Sequence, residues 1–204
     1  MNFPKSVAAL LSSFAIFLFF AESTKAALLL EPAITYENGD SQITYPPPFS
    51  ASTGTVNGVG LGGRIGFDMS DIFFFALDGR YSAPKFVDNT VGYDARAIAM
   101  NWGPVAGIQM PVLGLRIWGA YIVRAELDPE TSGTIDVNFK DGSGYRLGAG
   151  LRFLVVSLNI EYEKLDYETS ELERLGPFSL GTSFKNIEMS KKSWIASLSF
   201  PIRI

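Results

Sequence analysis

The stretch Gly144-Tyr145-Arg146-Leu147-Gly148-Ala149-Gly150-Leu151-Arg152-Phe153-Leu154 decides the fold. Tyr145, Leu147, Ala149, Leu151 and Phe153 fall on one parity, and Arg146, Gly148, Gly150 and Arg152 on the other. A period of two is the signature of a β-strand with one apolar and one polar face. The pattern recurs along the chain. Trp194, Ala196, Leu198, Phe200, Ile202 and Ile204 oppose Ser193, Ser197, Ser199 and Arg203, with Ile195 as the exception. Leu158, Ile160 and Tyr162 oppose Ser157, Asn159, Glu161 and Glu163. Similar alternation runs through 28–37, 58–68, 73–82 and 115–124.

The connections between these segments alternate in length. Long ones are expected at 38–56, 83–92, 127–142 and 167–190, and short ones at 69–71, 111–114 and 154–156. Short turns on one side and long loops on the other describe a barrel crossing a bacterial outer membrane. The expected architecture is all-β: an eight-stranded antiparallel up-and-down transmembrane β-barrel. Two places test it. Residues 93–110 are too long for one crossing and contain Pro104, which cannot donate to a ladder, so an irregularity is expected near Trp102–Pro104. Leu154-Val155-Val156 has no Gly, Pro, Asn or Asp to set a tight turn, yet the strand count requires the chain to reverse there.

A water-soluble barrel shows the same alternation, so the content of the faces must decide. A soluble barrel buries its apolar face and leaves charge outside. Here the charged face is the narrow one, rich in Gly and Ser, as a crowded interior requires. Six arginines are expected inside: Arg64, Arg80, Arg116, Arg124, Arg146 and Arg152. Six carboxylates join them: Glu31, Glu37, Asp68, Asp78, Glu161 and Glu163. Near the bilayer midplane each lipid-facing Arg costs about 2–4 kcal/mol, whereas paired, hydrogen-bonded charge is tolerated inside. The polar face is therefore read as the lumen. Tyr36, Tyr81, Tyr93, Tyr145 and Trp194 next to the long loops, and Phe67, Phe73, Phe153 and Phe200 next to the short ones, are expected to form two aromatic girdles.

The N-terminus supplies an address. Lys5 precedes an apolar run at Val7–Ala21, and small residues at Thr24 and Ala26 mark a cut before Ala27. That is the layout of a secretory signal peptide. The run is shorter than the ~20 residues of a spanning helix. The expected organisation is a signal peptide over 1–26 and a barrel over 27–204. Removing Lys5, Lys25 and Glu22 leaves 15 basic and 20 acidic residues, a net charge of −5, with no footprint for nucleic acid. With no Cys, neither a disulfide nor a cysteine-linked lipid is available.

With strand pattern, loop rhythm and terminal strand in view, the chain resembles the small eight-stranded outer-membrane barrels of Gram-negative bacteria, the OmpA-like and OmpX-like family. The resemblance spans essentially all of 27–204. Trp194-Ile195-Ala196-Ser197-Leu198-Ser199-Phe200 is similar to that family's assembly signal, but here the chain continues through Pro201 to Ile204. The resemblance implies insertion by the barrel-assembly machinery, contact with outer-membrane lipid and lipopolysaccharide, and a monomer.

Catalysis finds little to work with. The absence of His removes the usual general base at neutral pH and the Ser-His arrangement. Without Cys or His the strongest metal ligands are gone, and no cofactor is expected. Gly58-Val59-Gly60-Leu61-Gly62-Gly63 matches a nucleotide-loop pattern in form, but that motif must lead into a helix, and Arg64-Ile65-Gly66-Phe67 continues the strand. The outer loops, with Pro46-Pro47-Pro48 in the first and Phe178, Leu180 and Phe184 in the last, are surfaces for a partner, a cation or lipopolysaccharide, or merely solvated. Two roles stand. One is a structural or surface-interaction protein whose lumen is closed by ion pairs. The other is a narrow channel for ions or small solutes, apolar ones included, using space left by the lumen glycines at 58, 60, 62, 66, 148 and 150.

Overall fold

The computed structural model describes residues 26–44, 51–90, 92–131, 135–175, 178–184 and 187–204. The expected signal peptide and Pro46–Pro48 lie outside the described residues, as do the side chains of Phe178, Leu180 and Phe184. The strands are β1 (Ala26–Thr44), β2 (Ser52–Met69), β3 (Phe73–Asp88), β4 (Tyr93–Gln109), β5 (Leu115–Pro129), β6 (Ile135–Phe153), β7 (Val156–Leu175), β8 (Phe178–Phe184), β9 (Glu188–Ser199) and β10 (Ile202–Arg203). Every pairing is antiparallel between neighbours, and β9 pairs with both β7 and β1, closing the sheet. β8 doubles back on the outer end of β7, and β10 continues β9, so the closed wall has eight staves. Closure removes the sheet edges that hydrocarbon would not tolerate.

The last stave keeps one register across its proline. Ser199 lies opposite Ala33 and Ile202 opposite Leu30, while the Phe200 N–H donates to the Pro32 carbonyl at 2.9 Å. The irregularity expected in β4 is present: its register against β5 steps between Trp102 and Val105. Gly103 sits there because a Cβ would lie 1.9 Å from the Tyr121 carbonyl oxygen. The chain also reverses at Leu154-Val155, between the paired Phe153 and Val156. Leu154 takes φ +55° to make the turn, without the glycine that such a conformation favours.

The long connections differ from expectation. Strand structure runs far past the membrane, so β3 ends at Asp88 and β4 begins at Tyr93, leaving a tip of four residues where 83–92 was expected to be loop. Except on β5 and β6, the wall keeps its parity there, and throughout it reverses its polarity. Next to lipid, Ile34, Tyr36, Leu61, Ile65, Leu158 and Ile160 face out, and charge faces in. Further out, Asn38, Asp40, Gln42, Lys85, Asp94, Asp166 and Lys192 face out, while Ile43, Val56, Phe86, Leu127, Phe139, Leu165 and Met189 are buried inside. One barrel thus obeys the membrane rule along its inner part and the soluble rule at its outer end.

Tyr93 belongs to this outer core. It is 5% exposed and packs edge-on to Phe86, 5.9 Å between centroids, rather than joining a girdle. Tyr36, Tyr81, Tyr145 and Trp194 do face outward at the level where the polarity changes.

Candidate functional site in the barrel interior

Below the apolar core the lumen holds a lattice of paired charges, built by inward parity on seven staves. Arg116 of β5 meets Glu31 of β1 through two parallel bonds of 2.7 Å. Arg64 of β2 stands 3.6 Å from Glu31 and bonds Asp78 of β3 and Glu161 of β7, both at 2.8 Å. Arg80 of β3 bonds Glu161 at 2.6 and 2.9 Å and Asp78 at 3.1 Å. Arg146 of β6 bonds Asp78 at 2.7 Å, the Asn101 side chain of β4 at 2.7 Å, and Glu163. Glu163 also faces Lys191 of β9 at 3.1 Å, and Lys191 and Ser193 hold Glu37. Arg64, Arg80, Arg116, Arg146 and Lys191 thus balance Glu31, Glu37, Asp78, Glu161 and Glu163. Trp118 lies among them, its indole N–H donating to Glu161 at 3.0 Å and its ring 4.5 Å from the Arg64 guanidinium, a cation–π contact.

The remaining expected members sit elsewhere. Asp68 is buried near the inner rim, where it accepts from Gln109 at 2.6 Å and faces Arg203 at 2.9 Å. Arg152 is near the same rim and donates to the Leu154 and Pro201 carbonyls at 3.0 and 3.4 Å. Arg124 is a correction. It faces outward, largely exposed, and pairs with Glu126 at 2.5 Å. The cause is an irregularity between Ile122 and Ala125 that switches the inward parity of β5: Arg116, Trp118, Ala120 and Ile122 are buried before it, Ala125 and Leu127 after it.

Lys191, Trp118, Asn101, Gln109 and Arg203 were not anticipated as members. Lys191 directly follows the long connection expected at 167–190. Carrying the alternation of Ser193 and Ile195 one step further back would have turned it inward.

At most of the lumen glycines a side chain would crowd its neighbours. A Cβ on Gly148 would lie 2.3 Å from the Trp118 ring, on Gly150 2.1 Å from Asn159, on Gly58 2.4 Å from Pro84 and on Gly66 2.4 Å from Ala76. Around Gly62, between Glu31, Arg64, Asp78 and Arg80, the free space is about 10 Å³, room for about one water. A larger concavity of about 700 Å³ lies at the outer end, lined by Gln42, Asp141, Asp166, Glu168 and Glu188 among others. No group of three or more potential metal-ligating side chains is found among the described residues.

No family model matches the sequence, and no curated protein does. Among solved structures, the fold is similar to that of the outer membrane protein OprG from Pseudomonas aeruginosa. That protein is 11% identical with a TM-score of 0.54, over 88% of this chain and 96% of that one. It is also similar to the outer membrane protein AlkL, 11% identical with a TM-score of 0.56, over 88% of this chain and 91% of that one. The closed antiparallel wall, the lipid-type exterior and the inward-facing charges make this chain a small eight-stranded β-barrel of the outer-membrane type.

Proposed function

We propose that this protein serves the outer membrane as a closed, non-enzymatic barrel: an anchor that presents its outer end to the surroundings and conducts no solute. The observation that carries this is the lattice of five cations and five carboxylates meeting in one connected layer. An eight-stranded barrel has an interior just wide enough for side chains to fill. Above the lattice lies a second obstruction, an apolar core in which Tyr93, Phe86, Phe139 and Tyr167 pack edge-on or tilted in that order, with centroids 5.9 to 6.4 Å apart. An ion moving outward would have to break the lattice and then cross a dry layer. Each lattice carboxylate is held by at least one guanidinium or ammonium, which suits bracing better than proton transfer.

The outer end, with its rigid polar wall and open concavity, is the surface for a partner or for lipopolysaccharide. Insertion would proceed through the assembly machinery by way of the C-terminal strand, and the barrel would act as a monomer in outer-membrane lipid. Planar-bilayer recording of refolded protein, shown to be folded by its heat-dependent migration, tests the central claim. Silence is expected. Steady, reproducible conductance would overturn the closed lumen in favour of a narrow channel.

A further inference from the structure

The inner end of the barrel has an exterior unlike that of a water-facing surface. Its three turns carry Ile72, then Met110, Val112 and Leu113, then Leu154 and Val155, and the chain ends on Ile204. Val112 is 96% exposed and Leu154 is 91% exposed. Turns in water favour Gly, Pro, Asn, Asp and Ser. Across these three turns the one charged residue is Asp71, and it is paired with Arg203.

The height of the apolar wall supplies a second argument. Tyr36 and Leu28 are eight positions apart on β1, as are Tyr145 and Phe153 on β6. At ~3.3 Å per residue and a tilt of about 40°, eight residues rise ~20 Å along the membrane normal. The outward apolar band of such barrels is about 25 Å tall. On these two staves, with the tyrosines at the outer interface, the wall alone falls short of the inner one.

We infer that the side chains of the inner turns complete the band: Ile72, Val112, Leu113, Leu154, Val155 and Ile204 reach the acyl chains of the inner-leaflet phospholipid, while the turn backbone stays at the hydrated headgroup level. The occupant is lipid because these side chains continue the face formed by Phe67, Phe73, Ile117, Phe153 and Leu158, interrupted in the first turn by exposed Ser70 and by Asp71, which Arg203 pairs. The barrel then stands asymmetrically in the membrane, flush on the inner side and projecting as a soluble-type barrel on the outer side. This rests on the outer-membrane reading above.

The chain has no cysteine, so single spin labels report without background. Labels at Val112→Cys and Leu154→Cys are compared with Ile160→Cys on the lipid-facing wall and Asp94→Cys on the outer exterior. The protein is reconstituted in dimyristoyl phosphatidylcholine vesicles, with Leu113→Cys and Val155→Cys in reserve should either tip variant fail to fold. The readout is the ratio of collisions with oxygen to collisions with a water-soluble nickel chelate. Both tips are expected to favour oxygen, as Ile160 does, and Asp94 to favour the chelate. A tip that behaves like Asp94 overturns the inference and leaves that end free for water or a protein partner. If Ile160 itself favours the chelate, the membrane-barrel reading fails, and the inference with it.

Discussion

Arg116 and Glu31, 85 positions apart in sequence, close on each other through two parallel hydrogen bonds of 2.7 Å, both side chains almost fully buried. The pair ties β5 to β1, staves that do not touch in the sheet. Such a bond crosses the lumen, so it braces the barrel against flattening in a way that ladder hydrogen bonds cannot.

Breaking this pair from one side leaves a buried charge uncompensated. Arg116→Met is expected to cost about 3–5 kcal/mol, and Glu31→Gln to be destabilising in the same sense. Combining Arg116→Met with Glu31→Leu is expected to recover much of the loss, because the desolvated charges leave together. Urea titration of the folded barrel in detergent, arranged as a double-mutant cycle, measures this. Additive losses would mean that the two side chains do not depend on each other.

The glycines allow a paired comparison. Gly148 faces the lumen against the Trp118 ring, whereas Gly63 faces outward with nothing within 4 Å of where its Cβ would stand. Gly148→Ala is expected to destabilise by about 1–3 kcal/mol through overpacking. Gly63→Ala is expected to be neutral or stabilising by up to about 1 kcal/mol, as strand glycine loses more freedom on folding. Urea midpoints of the two variants give the answer. Equal effects would mean that the lumen at Gly148 has room to spare, which is what a channel needs.

Much of this arrangement was legible in the sequence because alternation survives wherever a strand is regular. Parity alone placed Glu31, Arg64, Asp78, Arg80, Arg116, Arg146, Glu161 and Glu163 inside, and it placed the irregularity at Trp102–Pro104. Two things were hidden, each for a physical reason. The β5 irregularity at Ile122–Ala125 has no Gly or Pro to announce it, so Arg124 was carried to the wrong face. The reversal of polarity at the outer end made strands look like polar loops, because the solvent outside changes from hydrocarbon to water while the parity of most staves stays the same. Tyr93 was placed in the girdle, and Lys191 left out of the lumen, for that one cause. The tight turn at Leu154-Val155 was legible from the strand count alone, since the strands on either side impose it without any turn residue.

Arg124 and Lys191 now exchange roles, and their variants should separate. Arg124→Ala removes a largely exposed side chain paired with Glu126, so a change within about 0.5 kcal/mol is expected. Lys191→Met strips the buried partner from Glu37 and Glu163 and is expected to cost about 3–5 kcal/mol. Thermal unfolding followed by the shift in gel migration distinguishes them, with only the Lys191 variant losing its folded band at lower temperature.

The outer strand extensions also make a prediction about protease access. Lys85, Arg96 and Lys140 lie within paired strands above the tyrosine girdle, and Lys164 pairs opposite Tyr145 at its level. A protease must draw several residues of extended chain into its cleft, and a closed sheet releases such a segment only by local unfolding. Trypsin added to proteoliposomes with the outer end exposed is therefore expected to leave these four sites intact. Variants with Phe86→Ala or Phe139→Ala, which hollow out the apolar core beneath them, should be cut there while the membrane-embedded wall stays protected. The large-to-small cost of each is about 3–5 kcal/mol when fully buried, and it falls on the part of the barrel that no lipid supports. Rapid cleavage after Lys85 in the unaltered protein would return residues 83–92 to a loop and remove the rigid outer wall on which surface presentation depends.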